Sequence, residues 1–395
     1  MARPHLEVAD IVRDHGAAFR LKYAERLSLG QLKVLSAIER CRSAALGGHV
    51  VRCEQCQRTD IAYNSCRNRH CPKCQASAAL QWLAAREEEL LPVAYFHAVF
   101  TLPAEIGPIA YQNKAAVYGL LFRTVAQTVL TIGADPKHLG AQLGMTAVLH
   151  TWGSAMTHHP HLHCIVPGGG LSLDGTRWIP AKSAKFLLPV RVLSALFRRL
   201  FCEGLRALYD EGALTLRGHL EPLGDPHAFA RLIAQCRSKD WYVDIRAPFA
   251  GPECVLAYLA RYTHRVAIAN SRLLRYDAER VVFRWKDYRA ASEHRLKTMA
   301  LETSEFLRRF LRHVLPSGFH RIRHYGLFAN AQRHQNLRVV RALLNVPSEP
   351  QNNDAEPDEP QIPFWLTCPG CGQAMRIIEI LTPTRPHRAR DPPEG

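Results

Sequence analysis

Apolar positions along the chain change their period several times, and each change predicts an element. Val8, Ile11 and Val12, then Leu32, Leu35 and Ile38, recur at helical spacing, and Gly47 and Gly48 close the second helix. A helix is predicted from Ala76 to about Leu90, a strand from Tyr95 to Thr101 (YFHAVFT) ended by Leu102-Pro103, and a helix from Lys114 to Thr131. A second strand, Thr146 to Trp152, leads through Gly153 into the stretch THHPHLHCIVPGGG, Thr157 to Gly170. There Leu162, Cys164 and Val166 fall on one face of a strand, and His161 and His163 fall on the other. Pro160, and Pro167 with three glycines after it, bound that strand, and the short connection predicts antiparallel pairing with Thr146 to Trp152.

Further on, Pro189 to Asp210 reads as an amphipathic helix and Trp241 to Ala247 alternates as a strand. A helix opens near Gly251-Pro252, proline being well placed in a first turn. Two short strands, Arg272 to Tyr276 and Arg280 to Trp285, precede a helix from Glu302 to Leu315 that gathers Phe306, Leu307, Phe310, Leu311 and Val314 on one face.

Charge narrows the class of partner. The 395 residues carry a formal net charge of +16, an excess that points to a polyanion, and nucleic acid is the commonest. Length suggests about two to three folding units. The amino-terminal stretch MARPHLEVADIVRDHG has no apolar run suited to a signal peptide, and no segment is predicted to span a membrane. The expected location is therefore the cytoplasm, where the twelve cysteines stay reduced and available to metal.

Seven potential ligands crowd the region after the second helix: His49, Cys53, Cys56, Cys66, His70, Cys71 and Cys74. Two Cys-x-x-Cys pairs, CEQC and CPKC, are separated by fourteen residues. That is close to a four-thiolate zinc site, in which a tight turn at each pair presents both sulfurs to one tetrahedral ion. Cys53, Cys56, Cys71 and Cys74 are the expected structural zinc ligands. Cys66, His70 and His49 are surplus: members of a second site, substitutes for one of the four, or bystanders. Arg52, Arg58, Arg67, Arg69 and Lys73 surround the cluster and suit DNA contact; the alternative is a zinc that only holds a small fold together.

Two imidazoles on one strand face can bind a divalent ion. His150 on the neighbouring strand is a candidate third ligand, with an interior hydrogen-bonded histidine as the other reading. In AYLARYTHRVAIANSR, Tyr258 and Tyr262 are four apart and share one helix face, among Arg261, His264 and Arg265. Alone, such a pair reads as core packing; beside a histidine strand in a basic chain it suggests a tyrosine that cleaves a DNA strand. A phenol with a pKa near 10 is a poor nucleophile until it loses its proton, and a divalent ion on the phosphate polarises the phosphorus centre. The covalent tyrosine ester conserves the bond energy, so the strand can be rejoined without ATP.

The motif in HHPHLHCIVPGGG, the YLARY pair, the cluster YNSCRNRHCPKCQ and the segment FHAVFTLP together resemble the rolling-circle transposases of the insertion sequence 91 family. The similarity runs from about residue 30 to residue 340, with the motifs in the family's order. The resemblance implies an α+β fold: a small antiparallel-sheet nuclease core of the His-hydrophobic-His (HUH) type flanked by helices, with an amino-terminal helical zinc-binding domain. It implies an endonuclease that acts on single-stranded DNA at element ends and target, depends on magnesium or manganese, and forms a 5′-phosphotyrosine link. His161 and His163 are then metal ligands and Tyr258 and Tyr262 nucleophiles. A plasmid replication initiator or relaxase would use the same chemistry. The non-catalytic alternative is a zinc-dependent nucleic-acid-binding regulator.

Phe319 to Arg341 has no acidic residue and interleaves arginines, Arg321 and Arg323 among them, with Phe319, Tyr325 and Phe328, a pattern suited to phosphates and stacked bases. Residues 346–362 are rich in proline and acid and read as a linker. Cys368 and Cys371 beyond it form half a zinc ribbon that needs ligands from elsewhere, His387 for example. The expected divisions are 1–92, 93–345, 346–362 and 363–395.

Overall fold

The computed structural model describes residues 6–247, 267–287, 290, 294–346 and 366–384. In chain order, α1 (Val8–Lys22) and α2 (Leu29–Arg40) precede the hairpin β1 (Gly48–Cys53) and β2 (Thr59–Tyr63), followed by α3 (Pro72–Glu87) and β3 (Tyr95–Thr101). The short α4 (Gly107–Gln112) and long α5 (Lys114–Ala134) lead to β4 (Ala141–Gln142), β5 (Gly144–Trp152), β6 (His158–Pro167), β7 (Gly169–Ser172) and β8 (Trp178–Pro180). Next come α6 (Val190–Asp210), α7 (Pro226–Arg237), β9 (Val243–Arg246), β10 (Leu273–Tyr276), β11 (Arg280–Lys286) and β12 (Leu296–Glu302). Then α8 (Thr303–Arg312), β13 (Ile322–Gly326), α9 (Arg333–Leu343) and β14 (Met375–Leu381) complete the described elements. The class is the expected one, α+β with small antiparallel sheets flanked by helices.

The central sheet has five strands in the order β13-β5-β6-β3-β9, and every neighbouring pair is antiparallel. Strand alternation divides its residues cleanly. Leu162, Cys164 and Val166 of β6 are buried with Phe96, Ala98 and Phe100 of β3 and Ala147 and Leu149 of β5 in the main core. α5 and α6 cover that face. α5 is apolar on nearly every side because the sheet and α6 enclose it; it is long and apolar enough to cross a membrane, yet most of it is buried inside the fold. α6 presents Leu193, Phe197, Phe201 and Leu205 at helical spacing to the same core. A Cβ on Gly204 would lie 2.4 Å from Leu120 Cδ1, so glycine there lets the two helices approach closely.

A second core joins distant parts of the sequence. Val8, Ile11, Val12, Leu35 and Ile38 of the first two helices pack with Ile268, Val281, Phe283, Phe306 and Phe310. Hydrogen bonds cross the same seam, from Gln31 Nε2 to the Leu311 carbonyl and from the Val8 N–H to Asn270 Oδ1. α1 and α2 therefore share a core with the β10–β12 sheet and α8. Residues 366–384 also return to this end of the molecule, where β14 pairs antiparallel with β1.

Candidate metal centres and nuclease site

β6 is the middle strand of the central sheet, so both its neighbours can contribute to whatever lies on its histidine face. The register sets His150 of β5 directly across from His161, and Val148 across from His163. The donor nitrogens of His150, His161 and His163 come within 4.8 Å of one another. His161 Nε2 is 3.1 Å from His163 Nε2. Two ligands at right angles on one ion with bonds of about 2.1 Å would be separated by about 3.0 Å.

The outward nitrogens are tied down. His161 Nδ1 lies 2.7 Å from the His159 carbonyl; a carbonyl only accepts, so a neutral His161 carries its proton on Nδ1 and leaves Nε2 as a lone pair. His163 Nδ1 is 2.7 Å from His97 Nε2 of β3. When Nδ1–H donates to His97, His163 Nε2 also presents a lone pair to the common point, the usual arrangement behind an imidazole metal ligand. His150 stacks on Trp152 at 4.6 Å between centroids, which fixes its plane. Burial, reinforced by the neighbouring imidazoles, lowers the pKa of His161 to about 4 and pushes His163 well below the usual histidine value. Neutral imidazoles are the form that binds metal. The donor set fits a divalent transition ion.

Two four-cysteine groups stand apart from this site: Cys41, Cys66, Cys71 and Cys74, and Cys53, Cys56, Cys368 and Cys371. In the first, Cys74 Sγ is 3.6 Å from both Cys41 Sγ and Cys66 Sγ, and the Cys66 N–H points at Cys41 Sγ. Sulfurs about 2.3 Å from a tetrahedral zinc lie about 3.8 Å apart. Contacts with Cys66 pull the Cys41 thiol down to about 7 and contacts with Cys41 lower Cys74, while the same cluster raises Cys66 and Cys71. Four sulfurs this close cannot all ionise without a cation among them.

Residues 144–336 match the family model described as "Putative transposase", and residues 11–102 match the model "Transposase zinc-binding domain". The chain is 54% identical over 389 residues to "Putative transposase y4qJ" of Sinorhizobium fredii, covering 96% of this chain and 97% of the relative. It is 26% identical over 319 residues to the transposase for insertion sequence element IS801 of Pseudomonas savastanoi pv. phaseolicola, covering 80% of this chain and 74% of that protein. The chain belongs to the transposases of the insertion sequence 91 family. No solved structure matches it.

In this transposase the zinc-binding domain and the four-sulfur geometry together indicate structural zinc. The grouping of ligands departs from the one expected from spacing, which joined Cys53 and Cys56 to Cys71 and Cys74. The hairpin explains the difference. Cys53 ends β1 at the hairpin tip, whereas residues 64–66 return to its base, where the Asn64 N–H bonds to the Gly47 carbonyl. Five residue steps of about 3.3 Å keep tip and base roughly 17 Å apart. At the base, Cys41 follows the end of α2 and Cys71 caps α3, so these two meet Cys66 and Cys74.

Of the surplus candidates, Cys66 joins a four-sulfur group and the two histidines do not. His70 Nε2 accepts the Leu315 N–H at 3.1 Å, which uses the atom a metal would need. His49 lies on β1 between β2 and β14. Tyr258, Tyr262, Arg261, His264 and Arg265 lie outside the described residues. Arg321, expected at a DNA surface, is only 8% exposed, so its guanidinium is enclosed rather than offered to a phosphate. Arg323 is half-buried, with its guanidinium over the Phe122 and Phe319 rings at 4.4 and 5.0 Å.

Sequence reasoning did not single out His97 or Cys41. Strand parity held a signal for the first, since YFHAVFT puts His97 two and four residues from Val99 and Thr101, which pair with His163 and His161. Cys41 is a lone cysteine after a helix, and only the fold reveals its partners.

Proposed function

We propose that this transposase nicks and rejoins single-stranded DNA through a 5′-phosphotyrosine intermediate during rolling-circle transposition of its insertion sequence. The observation that carries the reading is the convergence of His150, His161 and His163 on one face of the two central strands, with the far nitrogens of His161 and His163 anchored. These three imidazoles would hold a divalent ion, manganese tolerating imidazole nitrogen better than magnesium, and that ion would supply polarisation of the scissile phosphate. The imidazoles stay neutral and rigid, so the site needs little rearrangement on binding DNA.

Tyr258 and Tyr262 are the nucleophiles of this reading. They belong to the segment that leaves β9, the strand next to β3 and its His97. A phenolic oxygen attacks phosphorus and its proton passes to solvent; the bond to the 3′ oxygen breaks, and that oxygen takes up a proton as a free hydroxyl. The reverse reaction with another strand's 3′ hydroxyl completes the transfer without ATP. The second tyrosine allows a second strand event, one at the donor end and one at the target. Arg261, His264 and Arg265 supply positive charge along the DNA path, and the work takes place on nucleoid DNA in the cytoplasm. Arg323, paired with Ala147 on the core side of the sheet and stacked on Phe122 and Phe319, takes no part in it.

The test is incubation of the full chain with labelled single-stranded DNA and manganese. A covalent adduct should survive denaturation and map by mass spectrometry to Tyr258 or Tyr262. Tyr258→Phe or Tyr262→Phe should reduce it with folding unchanged, and His161→Ala should abolish it. Absence of any adduct with manganese or magnesium would favour the regulator reading instead.

A further inference from the structure

The CEQC and CPGC pairs lie 312 residues apart between Cys56 and Cys368, yet they fold into the same turn. In the first, the Cys53 N–H donates to the Arg58 carbonyl and the Gln57 N–H donates to the Cys53 carbonyl. In the second, the Cys368 N–H donates to the Gln373 carbonyl and the Gly372 N–H donates to the Cys368 carbonyl. The residue after the second cysteine has a left-handed backbone in both, Gln57 with φ 59° and Gly372 with φ 77°. These are two copies of one knuckle, facing each other.

Their sulfurs are close but not bonded. Cys53 Sγ lies 3.4 Å from Cys371 Sγ, Cys56 Sγ lies 3.5 Å from Cys368 Sγ, and Cys371 Sγ lies 3.7 Å from Cys56 Sγ. A disulfide needs about 2.05 Å, so none of these is a bond. The spacing is close to the edge of about 3.8 Å that four thiolates make around one zinc.

Among the described residues, the surrounding sheet buries little apolar surface of its own. β1, β2 and β14 form a three-stranded sheet, yet its buried core consists of Val51, Cys53, Cys368 and Met375, with Leu366 packed against it. Most residues of β2 and β14 are exposed. Burial on that scale does not hold three strands together; small modules of this kind rely on a metal or a covalent link. The strands nevertheless sit close: Gly47 has φ +67°, and a Cβ there would lie 2.3 Å from the Leu381 carbonyl oxygen.

We propose that Cys53, Cys56, Cys368 and Cys371 bind a second zinc ion, separate from that of the Cys41 group, which clamps the carboxy-terminal segment onto the amino-terminal zinc-binding domain. The match to that domain ends at residue 102, so two of the four ligands come from outside it. The site becomes complete only when both ends of the chain are present. Cys56 and Cys371 are exposed, whereas Cys41 and Cys71 of the other group are buried, so the second ion is the more accessible of the two. The inference does not depend on the strand-cleavage reading, because no DNA or tyrosine chemistry enters it.

The test uses the full chain, purified with zinc, and reads total metal by elemental analysis. The expected result is one zinc ion fewer per chain in C368S/C371S than in the wild-type chain, whatever His150, His161 and His163 hold in both. Equal zinc contents in the two chains would overturn the proposal. Because the variant can fail to fold, the wild-type chain is also treated with a chelator and pulsed with an alkylating agent, and its cysteines are mapped. Cys53, Cys56, Cys368 and Cys371 should become reactive together and before Cys41, Cys66, Cys71 and Cys74. Reaction of Cys368 and Cys371 before any metal is released, or recovery of any of the four in a disulfide, would overturn it equally.

Discussion

His97 Nε2 lies 2.7 Å from His163 Nδ1, with the two rings within 2° of parallel, so a residue of β3 sets the orientation of an imidazole on β6. His97 is a positioning residue in this arrangement: its ring nitrogen fixes which nitrogen of His163 carries the proton. Its own pKa is lowered to about 4, chiefly by burial, so it stays neutral and can accept. His97→Ala should weaken manganese binding by about 10–100-fold, the usual cost of losing such a partner. His97→Gln, which can still accept from His163 through its side-chain oxygen, should recover part of the loss. Calorimetric titration of manganese into the folded variants reads the effect. Unchanged affinity in His97→Ala would remove His97 from the site.

The buried four-sulfur group carries a different expectation. Cys71 belongs to the core that α1 and α2 share with β11 and α8, and Cys66 and Cys74 pack against it. Loss of metal there should therefore loosen that core as well as the cysteine loop. Cys74→Ser should release zinc and lower the thermal midpoint, by ~2–4 °C for each 1 kcal/mol lost if a unit of about 150–250 residues melts and by less if the whole chain melts as one. Scanning fluorimetry with and without added zinc checks this. A midpoint equal to wild type and insensitive to chelator would show that the metal contributes nothing to folding.

Much of the central sheet was legible because its strands obey period two. The boundaries Tyr95–Thr101 were readable from apolar density and the following Leu-Pro, and Leu162, Cys164 and Val166 do fill the core opposite His161 and His163. Antiparallel pairing of β5 with β6 followed from a short connection, but the register that sets His150 across from His161 did not, because a slip of two residues keeps every side chain on the same face. The β12 strand, LKTMALE, escaped notice: its residues are mostly exposed and its alternation is weak. The cysteine pairing was illegible for a different reason. Spacing reports which sulfurs are near in sequence, while Cys53 meets Cys371 through strand pairing between residues more than three hundred positions apart.

Acid should destabilise the protein through two imidazoles that are not metal ligands in this reading. Burial lowers His158 and His313 to about 3 in the fold, against an ordinary value of 6.5. Tyr118 hydroxyl bonds to His158 Nε2 at 2.8 Å, and Thr151 Oγ1 and the Met156 carbonyl engage the His313 ring. Above pH 6.5 both imidazoles are neutral whether the chain is folded or not. As pH falls from there towards 3, the unfolded chain gains protons that the folded chain refuses, so stability falls with falling pH. Each such histidine contributes a slope of at most about 1.4 kcal/mol per pH unit. Urea midpoints at pH 7 and pH 5 should differ clearly for wild type and less for His313→Gln. An equal pH dependence in both would discard this account.

Arg69 should couple the zinc-binding domain to the central sheet. It stands two residues before Cys71, and its guanidinium donates to the carbonyls of Phe319 and Pro316, just ahead of β13. β13 is the strand that pairs with β5 from Gly144 to Val148, ending two residues short of His150. Beside it, His70 accepts the Leu315 N–H, so two consecutive residues of the cysteine loop hold the turn that leads into β13. Arg69→Ala removes both bonds; the Pro316 carbonyl still accepts the Phe319 N–H, but the Phe319 carbonyl loses this donor, and an unsatisfied buried group costs about 1–3 kcal/mol. Arg69→Lys reaches at most one of them at a time, since an ammonium lacks the planar fork, and should restore less than half of the lost stability. Hydrogen exchange should rise in β13 and the 315–321 turn in Arg69→Ala, while α6 and α7 on the far side of the sheet keep their protection. Uniform exchange across the whole chain, or none beyond residue 69 itself, would show that the two carbonyl contacts do not transmit anything between the domains.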